Sequence, residues 1–172
     1  MYNVKEIVAD CKLNALMEEA YDYAKAFSGC AKVRVGAMLI SDTLNCHSYG
    51  ANVTLPVSCR KYGCRRQELY GEDSKLHRLP SDCRAIHAEI DCITKYCNKM
   101  KHANFSTPEA LWMLVTRYPC EACARAIVNC GFINVVIYGG EQDISEETER
   151  IFDSAGIQVV HFDWKPEFDT TR

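Results

Sequence analysis

The sequence predicts an α/β protein: a three-layer α/β/α architecture around a central five-stranded mixed sheet. Two observations lead there. Five short segments rich in apolar and β-branched residues (34–40, 45–52, 111–116, 133–138 and 157–162) read as strands. Between and before them, residues 4–28, 85–100, 119–130 and 145–155 read as helices, giving the order α-β-β-α-β-α-β-α-β. Two adjacent strands followed by strands that alternate with helices imply a sheet of mixed direction, with helices on both faces.

At 172 residues, with 48% apolar and 25% charged side chains, the chain is expected to form one domain over 1–172 with a sizeable core. A net charge of −3 argues against a nucleic-acid binder that relies on a basic surface. No apolar run approaches the roughly 18 residues of a membrane span, and the N-terminal stretch has no signal-peptide core, so the expected location is cytoplasmic. Eleven cysteines are many for that compartment, where stable disulfides are uncommon, and this points to metal binding or burial.

Along residues 4–28, Leu13, Leu16, Met17, Ala20 and Ala24 form an amphipathic stripe suited to pack on a sheet, and a break in this helix is expected. Residues 34–40 are nearly continuous in apolar side chains, as an interior strand is. Ser41-Asp42-Thr43 makes a turn and 45–52 returns as a hairpin partner. Residues 53–84 show no sustained period of either kind and read as an inserted loop, of a length that tends to be functional. The next helix carries Ile86, Ile90 and Ile93 on one stripe. Pro119 suits the first turn of the following helix, and Gly131 its C-terminal stop. The tail from about residue 163 is expected to be loosely held.

Two stretches carry the chemistry. Ala85-Ile86-His87-Ala88-Glu89-Ile90 and Tyr118-Pro119-Cys120-Glu121-Ala122-Cys123 together offer one imidazole and two thiolates. That is the ligand set of a catalytic zinc, which keeps a fourth position for water. Glu89, two residues from His87, stands close enough to handle protons without being a ligand. Residues two apart in a regular helix point about 200° away from each other, so His87 and Glu89 converge only if His87 sits in the first turn, where the chain is still entering the helix. Cys120 and Cys123 at a helix N-terminus are favoured as thiolates. Taken singly, a His-x-Glu is usually a surface pair, and a Cys-x-x-Cys is a redox motif, half a structural zinc site or two core thiols. Jointly, H-x-E…P-C-x-x-C is the pattern of zinc deaminases acting on cytosine or adenine.

In these blocks the sequence resembles the deoxycytidylate (dCMP) deaminases of the cytidine deaminase-like superfamily. The resemblance runs from about Met17 to His161 and rests on Val35-Gly36-Ala37, Gly50-Ala51-Asn52, Arg84-Ala85-Ile86-His87-Ala88-Glu89 and Pro119-Cys120-Glu121-Ala122-Cys123-Ala124. Ile127, Gly131 and Ile133 continue the last block. It implies hydrolytic deamination of dCMP to dUMP, with zinc on His87, Cys120 and Cys123 and with Glu89 as the proton shuttle. It also implies Asn52 on the sugar hydroxyl, Ala88 N–H on the ring O2 and Arg84 as the first choice for the 5′-phosphate. Arg117, Arg34, Arg65 and Arg66 are weaker choices for that anion. Tyr118 is expected either to line the pocket or to lie in the core. Asn52 is flanked by Ala51 and Val53 where the family has Tyr and Gly.

The same resemblance implies a homo-oligomer and brings dCTP and dTTP as effectors of several members. It suggests a second, structural zinc on Cys30, Cys59, Cys64 and Cys83, with His77 or Asp82 as a substitute ligand. The alternative is that these are buried or free thiols. The rivals for the whole chain are a deaminase of another cytosine nucleoside, nucleotide or nucleic-acid base, and a non-catalytic zinc-stabilised binding module.

Overall fold

The computed structural model describes residues 11–54, 58–71, 82–102, 110–140 and 144–166. The elements are α1 (Cys11–Phe27), β1 (Gly36–Ile40), β2 (Cys46–Ala51), α2 (Cys59–Tyr62), α3 (Arg65–Tyr70), α4 (Ala88–His102), β3 (Leu111–Val115), α5 (Glu121–Cys130), β4 (Ile133–Tyr138), α6 (Glu146–Ser154) and β5 (Gln158–His161). The five strands form one sheet in the order β2-β1-β3-β4-β5. β1 is antiparallel to both β2 and β3, whereas β3–β4 and β4–β5 are parallel, so the sheet is mixed as expected.

Side chains alternate between two cores. Met38, Ile40, Trp112, Leu114, Val135 and Ile137 meet Leu13, Leu16, Met17, Ala20 and Tyr21 of α1 on one face. Ala37, Leu39, Met113, Val115, Val136 and Tyr138 meet α4, α5 and α6 on the other, through Cys92, Tyr96, Ala124, Ile127 and Phe152. Because β1 and β3 are buried on both faces, their residues read as unbroken apolar runs and not as an alternation.

Two expectations are corrected. Within 53–84, residues 59–62 and 65–70 are short helices, too short for a 3.6-residue period to show in sequence. The tail is not loose as far as Pro166. Trp164 is 3% exposed, lies edge-on to Tyr21 and donates its indole N–H to Glu18 Oε1 at 2.7 Å. A large aromatic that fills the α1 face binds its own segment to the sheet. Residues 4–10 of the first predicted helix and residues 167–172 of the tail lie outside the described residues.

The placement of α4 decides where the site forms. A Cβ at Gly50 would stand 2.1 Å from the Ala88 carbonyl oxygen and 2.6 Å from the Cys92 amide nitrogen. Only glycine lets the first turn of α4 lie this close to β2. The contact is fastened by the Ala51 N–H to Asp91 Oδ2 (3.0 Å) and by Ser48 Oγ to the Cys92 carbonyl (3.0 Å). Gly50→Ala therefore meets backbone that has no rotamer to yield. It is expected to cost about 1–3 kcal/mol, at the upper end of that range, read as a lowered urea midpoint. A midpoint equal to wild type would show that α4 does not sit so close.

Candidate metal centre

Two independent frames bring the donors together. The first runs from β3 into α5. Thr116 is locked to Gly36 by its N–H to the Gly36 carbonyl and by the Gly36 N–H to its Oγ1, both at 3.0 Å. The chain then reaches Cys120, which caps α5 in an extended conformation (φ −79°, ψ 168°), with Cys123 in the first turn. Pro119 thus lies before the cap and not inside the first turn. Cys120 takes the non-helical cap position, and the first helical residue is Glu121.

The second frame is the entry to α4. The Ile86 N–H donates to the Val53 carbonyl at 2.8 Å, and the His87 carbonyl accepts from the Asp91 N–H at 3.0 Å. The helix expected from residue 85 opens at Ala88, so His87 is the last residue before it and not in its first turn, and Ile86, expected on the helical stripe, is instead bridged to Val53 and 46% exposed. The His87 Nδ1 lies 3.4 Å from Cys120 Sγ and 3.3 Å from Cys123 Sγ. These three donor atoms all lie within 4.8 Å of one another, and among the described residues no other group of three metal-ligating side chains does so. Glu89, 4% exposed, lies within electrostatic reach of His87, Cys120 and Cys123.

The electrostatics fit a cation at this point. Hydrogen bonds from Cys123 and His87 hold the Cys120 thiol far down, at about 3, against the burial that opposes them. His87 is raised to about 10, first by its hydrogen bond to Cys120, then by one to Cys83. Cys123 is pushed up by its bond to Cys120 and by burial. A zinc ion at this point would displace these protons, since it takes cysteine as thiolate and histidine as neutral imidazole. Two sulfurs and one imidazole nitrogen are zinc donors, and three protein ligands leave one position open. Burial, the largest effect on Glu89, raises its carboxyl well above the usual range.

The expected substrate residues divide. Ala88 opens α4, so its N–H is among the first-turn amides that have no helical acceptor. Asn52 is buried near this edge, and its carboxamide is engaged: Oδ1 accepts from the Val35 N–H at 3.0 Å and Nδ2 donates to the Val33 carbonyl at 2.8 Å. Tyr118 is a core residue, not a pocket wall. It is 4% exposed, with its ring edge-on to Tyr138 at 4.8 Å. The turn out of β3 points it under α6, where burial and then Glu149 and Asp153 raise its hydroxyl to about 12.

Arg84 is paired. Its Nη1 and Nη2 hold the two carboxylate oxygens of Glu68 at 3.2 and 3.0 Å, and Nη1 also donates to the Gly63 carbonyl at 2.8 Å. Cys30, Cys64 and Cys83 lie within electrostatic reach of the buried Cys59, whose thiol is raised first by burial and then by each of them. Sequence reasoning missed Asp91, which fastens α4 to β2, and Glu68. Asp91 carried a signal, an acidic side chain in the first turn of the motif helix. Glu68 carried none.

Comparison with known proteins agrees with this site. The chain is 27% identical over 135 residues to ComE operon protein 2 of Bacillus subtilis, covering 77% of this chain and 61% of that protein. It is 26% identical over 145 residues to the deoxycytidylate deaminase of Saccharomyces cerevisiae, covering 84% of this chain and 43% of that one. The chain thus spans about three fifths and under half of these two relatives. Its fold is similar to that of the dCMP deaminase of cyanophage S-TIM5, solved with dCMP and dUMP. The TM-score is 0.60 at 22% identity, over 94% of this chain and 98% of that one. The sequence pattern described as the cytidine and deoxycytidylate deaminase zinc-binding region matches residues 11–139, which take in both halves of the motif, and the chain belongs to that family.

Proposed function

We propose that this chain is a zinc-dependent hydrolase that removes the C4 amino group of a cytosine nucleotide, converting dCMP to dUMP with release of ammonia. The observation that carries the chemistry is a buried carboxyl, Glu89, held against a three-donor zinc set. A purely structural zinc needs no such acid beside it, which disfavours a non-catalytic module. The nucleotide is supported by the yeast relative's activity and by the cyanophage enzyme of like fold. A net charge of −3 disfavours a polynucleotide substrate.

His87, Cys120 and Cys123 would hold the zinc, and the ion supplies a Lewis acid that makes hydroxide available near neutral pH. Glu89 takes a proton on its carboxylate from the attacking water as oxygen bonds to C4. It passes that proton to N3 of the ring, then takes the remaining proton from the hydroxyl added at C4 and passes it to the amino nitrogen, and the C4–N bond breaks as the C4 carbonyl forms, giving ammonia and the uracil base of dUMP. Burial prepares Glu89 for this by favouring the protonated form that must donate to N3. The Ala88 N–H orients the ring through O2.

Cys30, Cys59, Cys64 and Cys83 make up the rest of the proposal, as ligands of a second, structural zinc that would draw these neighbouring thiols together. Metal analysis of zinc-replete protein should then give near two ions per chain, falling to near one in Cys59→Ser/Cys64→Ser. One ion in the wild type removes this second site and leaves the first.

Two measurements test the chemistry and the substrate. Glu89→Gln should keep zinc and lose at least about 10²–10⁴ in kcat; an enzyme retaining more than about a tenth of wild-type kcat would show that Glu89 is not the shuttle. Ammonia release should be highest for dCMP in a panel with CMP, deoxycytidine and an oligonucleotide. Its kcat/KM should exceed that of deoxycytidine by roughly ten- to a hundredfold, the worth of hydrogen bonds to a charged phosphate. Equal values would assign the nucleoside as the substrate.

A further inference from the structure

α3 has no buried residue. Leu69, its one aliphatic side chain, is half exposed, as is Tyr62 in α2. Apolar packing therefore does not hold α3 on the body of the protein. Among the described residues, polar links to one short stretch of chain do so, beside the Cys59, Cys64 and Cys83 thiols proposed above as metal ligands. Tyr70 Oη donates to Asp82 Oδ2 at 2.7 Å, and Glu68 grips the Arg84 guanidinium with both carboxylate oxygens. The third contact is the Gly63 carbonyl on Arg84 Nη1. Gly63 links α2 to α3 with φ of +77°, a conformation other residues rarely adopt, so the acceptor is aimed by the turn itself.

The stretch so gripped, residues 82–84, ends three residues before His87. At its far side the Ile86–Val53 bridge ties the chain to the strand that leaves β2. His87 is thus approached by a segment clamped at both ends, by the sheet and by the inserted helices. Three of the five guanidinium N–H donors are engaged and the charge is matched by the Glu68 carboxylate, so a phosphate would have to compete with Glu68 for this side chain.

We infer that Glu68 and Arg84 form a strap by which the inserted helices position His87 in the metal centre, and that Arg84 is a positioning residue, not the reader of a substrate phosphate. The proposal rests on His87, Cys120 and Cys123 holding a metal. Its effect is on geometry at the imidazole, where loss of an outer support typically weakens a metal site ten- to a hundredfold. Because α3 buries nothing, removing the strap leaves both cores intact.

The test uses the full chain with cobalt(II), and the part of the thiolate charge-transfer band that is lost in Cys120→Ser reports the Cys120/Cys123 ligands, apart from any band of the second cysteine site. Affinity is measured by competition with a chelator in wild type, Glu68→Gln, Arg84→Gln and the double variant, with Cys120→Ser as the ligand control. The strap predicts that each single variant weakens cobalt by about tenfold and that the double variant is no worse than either. Melting temperatures should be near wild type, and kcat/KM should fall equally for dCMP and deoxycytidine. Tyr70→Phe, a milder change, should weaken cobalt in the same direction. Unchanged affinity in the single variants, or losses that add in the double, would overturn the proposal. So would a Glu68→Gln enzyme that gains kcat/KM for dCMP while Arg84→Gln loses it for dCMP alone, because Glu68 would then be competing with a phosphate for Arg84. A wild-type protein with no thiolate band would overturn the metal-site assignment itself, and the strap with it.

Discussion

The contact of Gly50 with the Ala88 carbonyl is the constraint on which the site depends. It lets α4 begin against β2 with nothing but backbone between them, and Asp91 and Ser48 close the remaining polar groups across that seam. The position of His87 follows from this contact and from the Ile86–Val53 bridge. The positions of Cys120 and Cys123 follow from a different constraint, the pairing of Thr116 with Gly36 at the ends of β1 and β3. The imidazole and the two thiols come within 4.8 Å because two rigid frames meet, not because any local segment bends to bring them together.

Two helix N-termini therefore share one small volume. α4 contributes Glu89 and the Ala88 amide, and α5 contributes two thiols. The dipoles of both helices favour negative charge there, which suits thiolates and an anion-stabilising site. Burial works on Glu89 in the opposite sense and favours its neutral form. One pocket thus holds a thiol drawn down toward thiolate, Cys120, beside a carboxyl raised by burial, Glu89, and such opposed shifts separate the roles of ligand and proton carrier. Desolvation and the placement of hydrogen-bond donors produce them, with no unusual residue type.

The inserted segment is held by different physics from the rest of the chain. Elsewhere the layers are joined by apolar side chains on both faces of the sheet. α2 and α3 bury only Cys59 and are joined to residues 82–84 through Glu68, Gly63 and Tyr70. Polar straps of this kind add little to global stability, since part-exposed ion pairs contribute about 0–1 kcal/mol. What they supply is direction, because a bidentate Arg–carboxylate pair accepts one orientation and few others.

The sequence by itself determined the strands, the larger helices and the three side chains of the candidate zinc set. Each is written in a local pattern: apolar runs at 36–40 and 111–115, a helical stripe on α1, Gly131 as a helix stop, and the two short motifs around His87 and Cys120. Helix geometry alone asked for His87 at the entry to its helix, in the first turn, and the structure puts it one residue earlier, before the helix that opens at Ala88. Only the tertiary structure decided the rest. Tyr118 went to the core because the turn after β3 faces α6. Arg84 met Glu68 because α3 folds back across sixteen residues of chain separation. Trp164 closed the α1 face from a segment that looks like a polar tail. Two helices of four and six residues left no period to read. In each case the deciding partner is distant in the chain or the element is shorter than two helical turns, and a pattern of neighbours along the sequence carries no record of either.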